Sequence, residues 1–212
     1  MNEINLCYSA YWHKVSGMRL EAYQDKTDEE LAKLSVEDPH AFVPIVKRYE
    51  ARLLAYIRRI SGFQKEDAED VLQESFMDAY RHIADFDSAL KFSSWMYRIT
   101  HNRTISTFRK RKSRMLDVSI DDEDMGFERI LAIKEEGTAT VERALTVKAV
   151  KQVLDKLPER DREVLVLAYI EEKSYEEISD ILRAPMGTVG TWIRRAKIKF
   201  AKTAKDNPVL IQ

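Results

Sequence analysis

The residues best suited to chemistry lie near the C-terminal end, where hydroxyls and cations surround a narrow apolar seam. Val189, Ile193, Ala196 and Phe200 step by four, three and four residues, the spacing of one side of a helix. Around this seam stand side chains that can bind phosphates: Thr188, Thr191, Arg194, Arg195, Lys197 and Lys199. Between positions 184 and 205 there are six basic residues and no acid. This pattern favours a helix that rests on its domain by the seam and turns cations toward a nucleic acid.

A shorter helix is predicted just before this basic helix. Ser174 and Glu177 have the spacing of a capping box, so a helix should start at Tyr175 and stop before Pro185. Two helices joined by a turn of about four residues, the second of them basic, predict a helix-turn-helix. We expect the amides near Gly187 and Thr188 to point toward a phosphate. A plain helical hairpin is the alternative.

Charge is segregated along the chain, although its 35 basic and 36 acidic residues leave a net charge of only -1. Residues 41–65 carry six bases and one acid, whereas residues 66–87 carry eight acids and one base. Residues 91–114 then carry eight bases and no acid, and residues 117–136 carry eight acids and two bases. Each block could be a solvated helix face. Two acid-free basic blocks that also contain aromatic residues favour nucleic-acid binding instead.

Enzymatic chemistry has little support in this sequence. His13, His40, His82 and His101 are scattered, and Cys7 is the single cysteine. No His-Glu-x-x-His motif, phosphate-binding glycine loop or cysteine pair occurs. We therefore expect no catalytic residues, no metal, no cofactor and no small-molecule substrate. We expect His82 and His101 to be surface or helix-packing residues.

Composition and periodicity predict an all-α protein with two small helical domains joined by an acidic flexible linker. Six Gly and five Pro allow few tight turns, and no segment alternates with a period of two. Periodic apolar residues predict helices over 28–57, over about 66–84 and over about 94–112, and the pattern resumes at Val141. The predicted organisation is a tail (1–27), a first domain (28–112), a linker (113–140), a second domain (141–205) and a C-terminal tail (206–212). No apolar run approaches the length of a membrane span, so we expect no membrane insertion and a cytoplasmic location.

Several strings resemble conserved regions of bacterial sigma factors. Residues 157–164 (LPERDREV), 174–178 (SYEEI), 185–189 (PMGTV) and 194–197 (RRAK) closely resemble the fourth conserved region. Residues 67–76 (DAEDVLQESF) resemble the polymerase-binding helix of the second region, and residues 92–99 (FSSWMYRI) with Asn102 resemble its promoter-melting segment. The chain has no separate domain between them. On these motifs it is identified as a member of the extracytoplasmic-function (ECF) group of the sigma-70 family.

This resemblance implies three partners: core RNA polymerase, promoter DNA and an anti-sigma factor. The implied polymerase-binding residues are Asp70, Leu72, Gln73, Glu74 and Phe76. The implied contacts to the minus-ten element are Phe86, Lys91, Phe92, Trp95, Arg98, Asn102, Arg103, Arg109 and Lys110. The implied contacts to the minus-thirty-five element are Ser174, Tyr175, Thr188, Thr191, Trp192, Arg194, Arg195 and Lys197. Trp95 and Trp192 could each contact bases or pack in a core, and the sequence leaves both possibilities open.

The chain departs from the family pattern at a few positions. Family members often have glycine where this chain has Arg183, so Arg183 is expected to adopt a left-handed conformation at a cost of about 1 kcal/mol or more. Ser179 stands where a small residue such as alanine is common, and Ser106 where aspartate is common. In the recognition helix, Gly190, Thr191 and Trp192 replace the more usual basic and serine residues. A stand-alone helix-turn-helix regulator is the alternative function.

Overall fold

The computed structural model describes residues 20–88, 90–117, 141–205, 207 and 209, and its regular structure over this part is entirely helical. The α-helices are α1 (Asp28–Leu34), α2 (Phe42–Ser61), α3 (Lys65–Arg81), α4 (Phe92–Asp117), α5 (Val141–Asp155), α6 (Glu159–Leu165), α7 (Tyr175–Leu182) and α8 (Met186–Ala204). Short 3₁₀ turns lie at Leu20–Tyr23, Pro39–Ala41 and Ile83–Asp85, and a π-helical turn at Val166–Ile170 follows α6. The all-α prediction is confirmed over the described residues.

Helices α1 to α4 form the N-terminal half around a core of aliphatic and aromatic side chains. Thr27 begins α1 with a capping box, because its hydroxyl accepts from the Glu30 amide (3.2 Å) while its own amide donates to the Glu30 carboxylate (2.8 Å). Helix α2 ends at Gly62, whose φ of 74° is readily adopted without a side chain. The core includes periodic apolar residues of α1 and α2: Leu31, Phe42, Ile45, Tyr49, Leu53 and Ile57.

The predicted N-terminal tail is packed against the domain over its last residues. The Gln24 carbonyl accepts a hydrogen bond from Arg48 of α2 (3.0 Å), and the Tyr23 hydroxyl donates to Asp38. The segment from Leu20 onward therefore belongs to the N-terminal half. The earlier part of the tail, with Cys7, lies outside the described residues.

Helix α4 is longer than predicted at both ends. It runs from Phe92 to Asp117, whereas periodicity placed it over residues 94–112. No glycine or proline follows Lys112 to end the helix there, so the helix continues to Asp117. The remainder of the predicted linker, residues 118–140 with its acidic run, lies outside the described residues.

Helices α5 to α8 form the C-terminal half. Pro158 is the N-cap residue of α6 and precedes its first turn. The predicted helix-turn-helix is present as α7 and α8, with Val189, Ile193 and Ala196 buried along the seam of α8. The capping box of α7 is also as predicted, since the Ser174 hydroxyl accepts from the Glu177 amide (3.1 Å) and the Ser174 amide donates to the Glu177 carboxylate (2.9 Å).

The two halves contact each other. Helix α7 packs on α4, and the turn that follows α6 approaches α2. Buried residues of both halves belong to one continuous apolar cluster. Within the described ranges, no helix is both long and apolar enough to cross a membrane.

Candidate polymerase and nucleic-acid interfaces

Helix α3 presents an acidic surface, but only part of the implied polymerase-binding set lies on it. Asp70 and Glu74 are exposed and Gln73 is half-buried, whereas Leu72 and Phe76 are buried in the core. The side chains of Leu72 and Phe76 therefore hold the helix in place and do not reach a partner directly. The sequence carries a signal for this burial, because Leu72 and Phe76 lie on the same side of the helix as the apolar residues Ala68, Val71 and Ala79.

Carboxylates of α3 pair with cations of α4. Arg103 contacts Glu74 (3.4 Å) and Asp78, and the guanidinium of Arg111 binds both oxygens of Asp67, one of them at 2.6 Å. The hydrogen bond from Arg111 lowers the pKa of Asp67, against the opposing effect of burial. The two helices thus neutralise part of each other's charge. Arg103, implied as a phosphate contact, is held by acids of its own domain.

Three aromatic residues of the implied minus-ten segment pack on one another. Ring centroids are 5.2 Å apart for Phe86 and Phe92, 5.3 Å for Phe86 and Trp95, and 5.5 Å for Phe92 and Trp95. Trp95 is only 7% exposed, and Phe92 is fully buried against Tyr49. In this arrangement neither ring is open to stack on a base. Trp95 could contact bases or pack in a core, and its burial favours core packing.

The polar members of the minus-ten set are more accessible. Lys91, Asn102, Arg109 and Lys110 are exposed, and Arg98 is half-buried next to α7. Burial lowers the pKa of Arg98, as does the neighbouring charge of Arg183. The exposed cations on α4 form a surface that can meet phosphates.

Helix α8 turns most of its implied contacts outward. Arg194, Arg195 and Lys197 are exposed opposite the buried seam, and the exposed Thr191 donates its hydroxyl to the Gly187 carbonyl (2.9 Å). The amide of Thr188 donates to the Pro185 carbonyl (2.9 Å). The prediction that this amide is free to bind a phosphate is therefore wrong.

Trp192 is half-buried against the core. The Arg160 guanidinium lies 4.7 Å from the centroid of its ring. This contact favours packing over base reading. Lys199 is likewise held within the domain, by an ion pair with Asp161.

The first helix of the helix-turn-helix contributes two implied contacts. Ser174 uses its hydroxyl to cap α7, whereas Tyr175 is half exposed. A Cβ atom added at Gly190 would lie 3.6 Å from the Tyr175 ring, an ordinary contact distance. A close approach of the two helices therefore does not require glycine at position 190.

Buried ionisable residues that were not predicted from the sequence include Glu163, Glu171 and Lys173. Glu163 is buried, and burial raises its pKa to about 7. His101 is buried beside the Tyr56 hydroxyl (3.2 Å), and burial lowers its pKa to about 4, so it is neutral at pH 7. His101 is thus a packing residue and His82 is exposed, as predicted. Glu171 and Lys173 are buried between the halves, and nothing in their local sequence distinguishes them from a charged loop.

Two family models match the chain, in the order expected from the motifs. Sigma-70 region 2 matches residues 45–114, and Sigma-70, region 4 matches residues 148–200. Curated relatives span nearly the same length. The chain is 38% identical over 178 residues to the ECF RNA polymerase sigma factor SigW of Bacillus subtilis, covering 80% of this chain and 91% of that protein.

Other relatives and solved structures agree with this match. The chain is 31% identical over 191 residues to the ECF RNA polymerase sigma-E factor of Escherichia coli K12, covering 86% of this chain and 94% of the relative. Its fold is similar to that of CnrH solved in complex with the cytosolic domain of CnrY (TM-score 0.62, 24% identity, 85% of this chain and 98% of that chain). It is also similar to the sigma factor RpoE of Bartonella quintana solved with the anti-sigma factor NepR (TM-score 0.61, 22% identity, 78% and 98%).

Proposed function

Because the chain belongs to the ECF group of the sigma-70 family, we propose a division of labour between its two halves. It is a sigma factor, which binds core RNA polymerase and directs promoter-specific transcription initiation. The N-terminal half binds the core enzyme through α3 and melts the minus-ten element with α4. The C-terminal half reads the minus-thirty-five element with α7 and α8.

One observation carries this assignment. The chain joins an exposed acidic surface on α3 to a helix-turn-helix whose second helix exposes only hydroxyls and cations beside its apolar residues. An acidic surface suits a basic protein partner and repels DNA, whereas the α8 surface attracts it. A stand-alone regulator needs only the second of these surfaces.

Within α3, the polymerase contact is proposed to lie on Asp70, Glu74 and Gln73. These side chains are exposed or half-buried, and Leu72 and Phe76 support them from the core. Lys91, which directly precedes α4, and Asn102, Arg109 and Lys110 of α4 are proposed to meet the melted strand, because they are exposed. Family membership also supports an anti-sigma factor as a further partner.

Run-off transcription with purified core polymerase on genomic fragments tests the activity. Asp70→Lys places a cation on the acidic surface, so we expect core binding and transcription to fall about tenfold, equivalent to about 1.4 kcal/mol. Glu50→Lys is the matched control, since it makes the same charge change at an exposed position of α2. It should leave core binding close to that of the wild type.

The competing function has a distinct outcome. A stand-alone regulator would bind a specific promoter duplex tightly by itself and fail to co-purify with core polymerase. That result, together with no run-off transcript, would overturn the proposal.

A further inference from the structure

A carboxylate of the first helix caps the start of α4. The amide of Phe92, the first residue of α4, donates to Oε1 of Glu29 on α1 (2.9 Å). Lys91 stands at the N-cap position of α4, and a lysine side chain has no acceptor with which to cap a helix. The cap of α4 is therefore supplied by a residue 63 positions earlier in the chain.

The contact with Glu29 completes the hydrogen bonding of one peptide group, the one that joins Lys91 to Phe92. The carbonyl of this group accepts from the amides of Ser94 (3.1 Å) and Trp95 (3.3 Å) in the first turn of α4. Its amide is held by Glu29, and the Phe92 ring that follows is fully buried. The backbone directly after Lys91 is thus fixed on both sides of the peptide plane.

Glu29 lies on a turn of helix that is itself fastened to the domain. The carboxylate of its neighbour Asp28 accepts from the Arg48 guanidinium (2.7 Å) and from the Tyr49 hydroxyl (2.6 Å), both of α2. The Tyr49 ring in turn packs on the Phe92 ring, with centroids 5.8 Å apart. The first turn of α1 and the start of α4 are therefore held against the same part of α2.

Residues 86–91 form a short loop between two elements that α1 contacts. The Ile83–Asp85 turn precedes this loop and α4 follows it, and α1 packs on both. Within the loop the Leu90 amide donates to the Asp87 carbonyl (3.0 Å), while the side chains of Asp87, Leu90 and Lys91 are exposed. Helix α1 thus fixes the two ends of a loop whose middle faces solvent.

The position of this loop matters for strand binding, because its last residue, Lys91, is proposed to meet the melted strand. Separating bases from a duplex costs free energy, so the groups that hold the separated strand must already be in place. The first turn of an uncapped helix has unsatisfied amides and frays, which would let Lys91 move. The Glu29 carboxylate prevents this by satisfying the Phe92 amide, and it lies at the end of α4 where a negative charge is favourable.

We propose that Glu29 is a positioning residue for promoter opening, which caps α4 and thereby holds Lys91 and the loop of residues 86–91 where the melted strand binds. The inference rests on the proposed function of α4. It gives a part in promoter opening to α1, which carries none of the residues implied to contact DNA or polymerase.

The test changes the cap and measures backbone order, core binding and promoter opening separately. Glu29→Ala removes the acceptor, Glu29→Asp shortens it, and Glu29→Gln keeps an oxygen that can accept from the Phe92 amide but loses the charge. Glu37→Ala is the matched control, because Glu37 is an exposed acid in the turn that follows α1.

Each property has its own readout. Backbone order at the start of α4 is measured in the free chain as amide hydrogen exchange of residues 90–96. Core binding is measured with immobilised polymerase. Promoter opening is measured as permanganate reactivity of unpaired thymines, on the promoter that gives the strongest run-off transcript with the wild-type chain. Circular dichroism verifies that each variant is folded.

We expect Glu29→Ala to exchange the amides at the start of α4 about fivefold faster and to open the promoter about fivefold less, which is the effect of losing one N-cap contact. Core binding should stay at the wild-type level, because the exposed acids of α3 are unchanged. Glu29→Asp should change exchange and opening in the same direction, less strongly. Glu29→Gln should restore most of both, and Glu37→Ala should match the wild type.

Four outcomes overturn the proposal. Unchanged exchange in Glu29→Ala and Glu29→Asp would mean that the carboxylate does not hold the start of α4, and faster exchange with normal or increased opening would mean that the cap does not serve the strand. Equal losses of core binding and of opening would show damage to the whole domain. A defect in Glu29→Gln as large as that in Glu29→Ala would show that the charge acts and the hydrogen bond does not.

Failure of the proposed function is recognised separately. It would appear as wild-type chain that neither binds immobilised core polymerase nor supports run-off transcription. That result would also remove the role of Glu29 in opening, whereas the exchange measurement needs neither polymerase nor promoter and still tests the cap.

Discussion

At the scale of single residues, Glu163 of α6 is a carboxylate that the fold forces into an unfavourable site. Arg160 lies 3.3 Å from its Oε2, but that oxygen receives no hydrogen bond from the described part of the chain. Burial is the largest cause of its raised pKa of about 7, and Glu159 adds to it, while Arg160, Arg162 and Arg109 oppose it. The ionised form is therefore destabilised in the folded state.

Replacing Glu163 with Gln should stabilise the protein in a pH-dependent way. Because the folded-state pKa lies above the ordinary value of 4.5, the cost of ionising Glu163 is absent below about pH 4.5, grows as the pH rises, and is complete above about 7. Glu163→Gln should thus raise the free energy of unfolding by about 1–3 kcal/mol at pH 8 and by little at pH 5. Urea unfolding at the two pH values measures this difference.

Glu159→Gln is the matched control, since it removes a charge of the same type from the same helix. If Glu159→Gln and Glu163→Gln showed the same change in stability between pH 5 and pH 8, the buried site would not be the source of the effect.

At the scale of helices, the turn between α7 and α8 combines two departures from the family pattern. Arg183 ends α7 with a φ of 50°, where Gly62 ends α2 with a φ of 74°. The Ser179 hydroxyl donates to the Ala184 carbonyl (2.5 Å), and the Ala184 amide donates to the Ser179 carbonyl (3.1 Å). Ser179 thus fastens the turn in which Arg183 is strained, so the two departures are structurally linked. The left-handed conformation expected at Arg183 is confirmed.

We predict that Arg183→Gly stabilises the protein by up to about 1 kcal/mol. It removes a Cβ from a left-handed position, worth about 1–2 kcal/mol, and costs about 0.5–1 kcal/mol in chain entropy. It also removes the charge that lowers the pKa of Arg98. Urea unfolding measures the change. Arg183→Ala separates the two causes, since it removes the charge and keeps the Cβ, and an equal gain from both variants would argue against backbone strain.

The helices could be predicted from sequence because their signals are local. The capping box of Ser174 and the seam from Val189 to Ala196 appear in the structure as predicted. The π-helical turn at Val166–Ile170 had no such signal, because it depends on contacts with α2 of the other half, which are distant in sequence.

The site residues were predicted less well than the helices. The resemblance implied polymerase-binding residues spread over positions 70–76 of α3. A helix, however, presents only one of its sides to a partner. Leu72 and Phe76 lie on the apolar side of α3, which packs in the core. Trp95 and Phe92 were similar cases, since aromatic residues suited to stacking on bases are equally suited to packing together.

At the scale of the whole molecule, some of the opposite charges behind the small net charge pair with one another in the described part of the chain. Cations of α4 pair with acids of α3, and Lys91 pairs with Glu177 of the other half. Helix α8 instead holds Arg194, Arg195 and Lys197 exposed. The free chain should therefore bind duplex DNA weakly and through α8.

The salt dependence of duplex binding tests this distribution of charge. Each phosphate neutralised by a cation contributes about 0.9 to the slope of log K against log salt. Arg195→Gln should weaken binding of a labelled duplex by the free chain and reduce the magnitude of that slope by about one. Lys47→Gln removes the same charge from an exposed position of α2, so it should leave the slope near that of the wild type. Equal reductions in both variants would mean that the DNA responds to net charge alone and that α8 does not hold it.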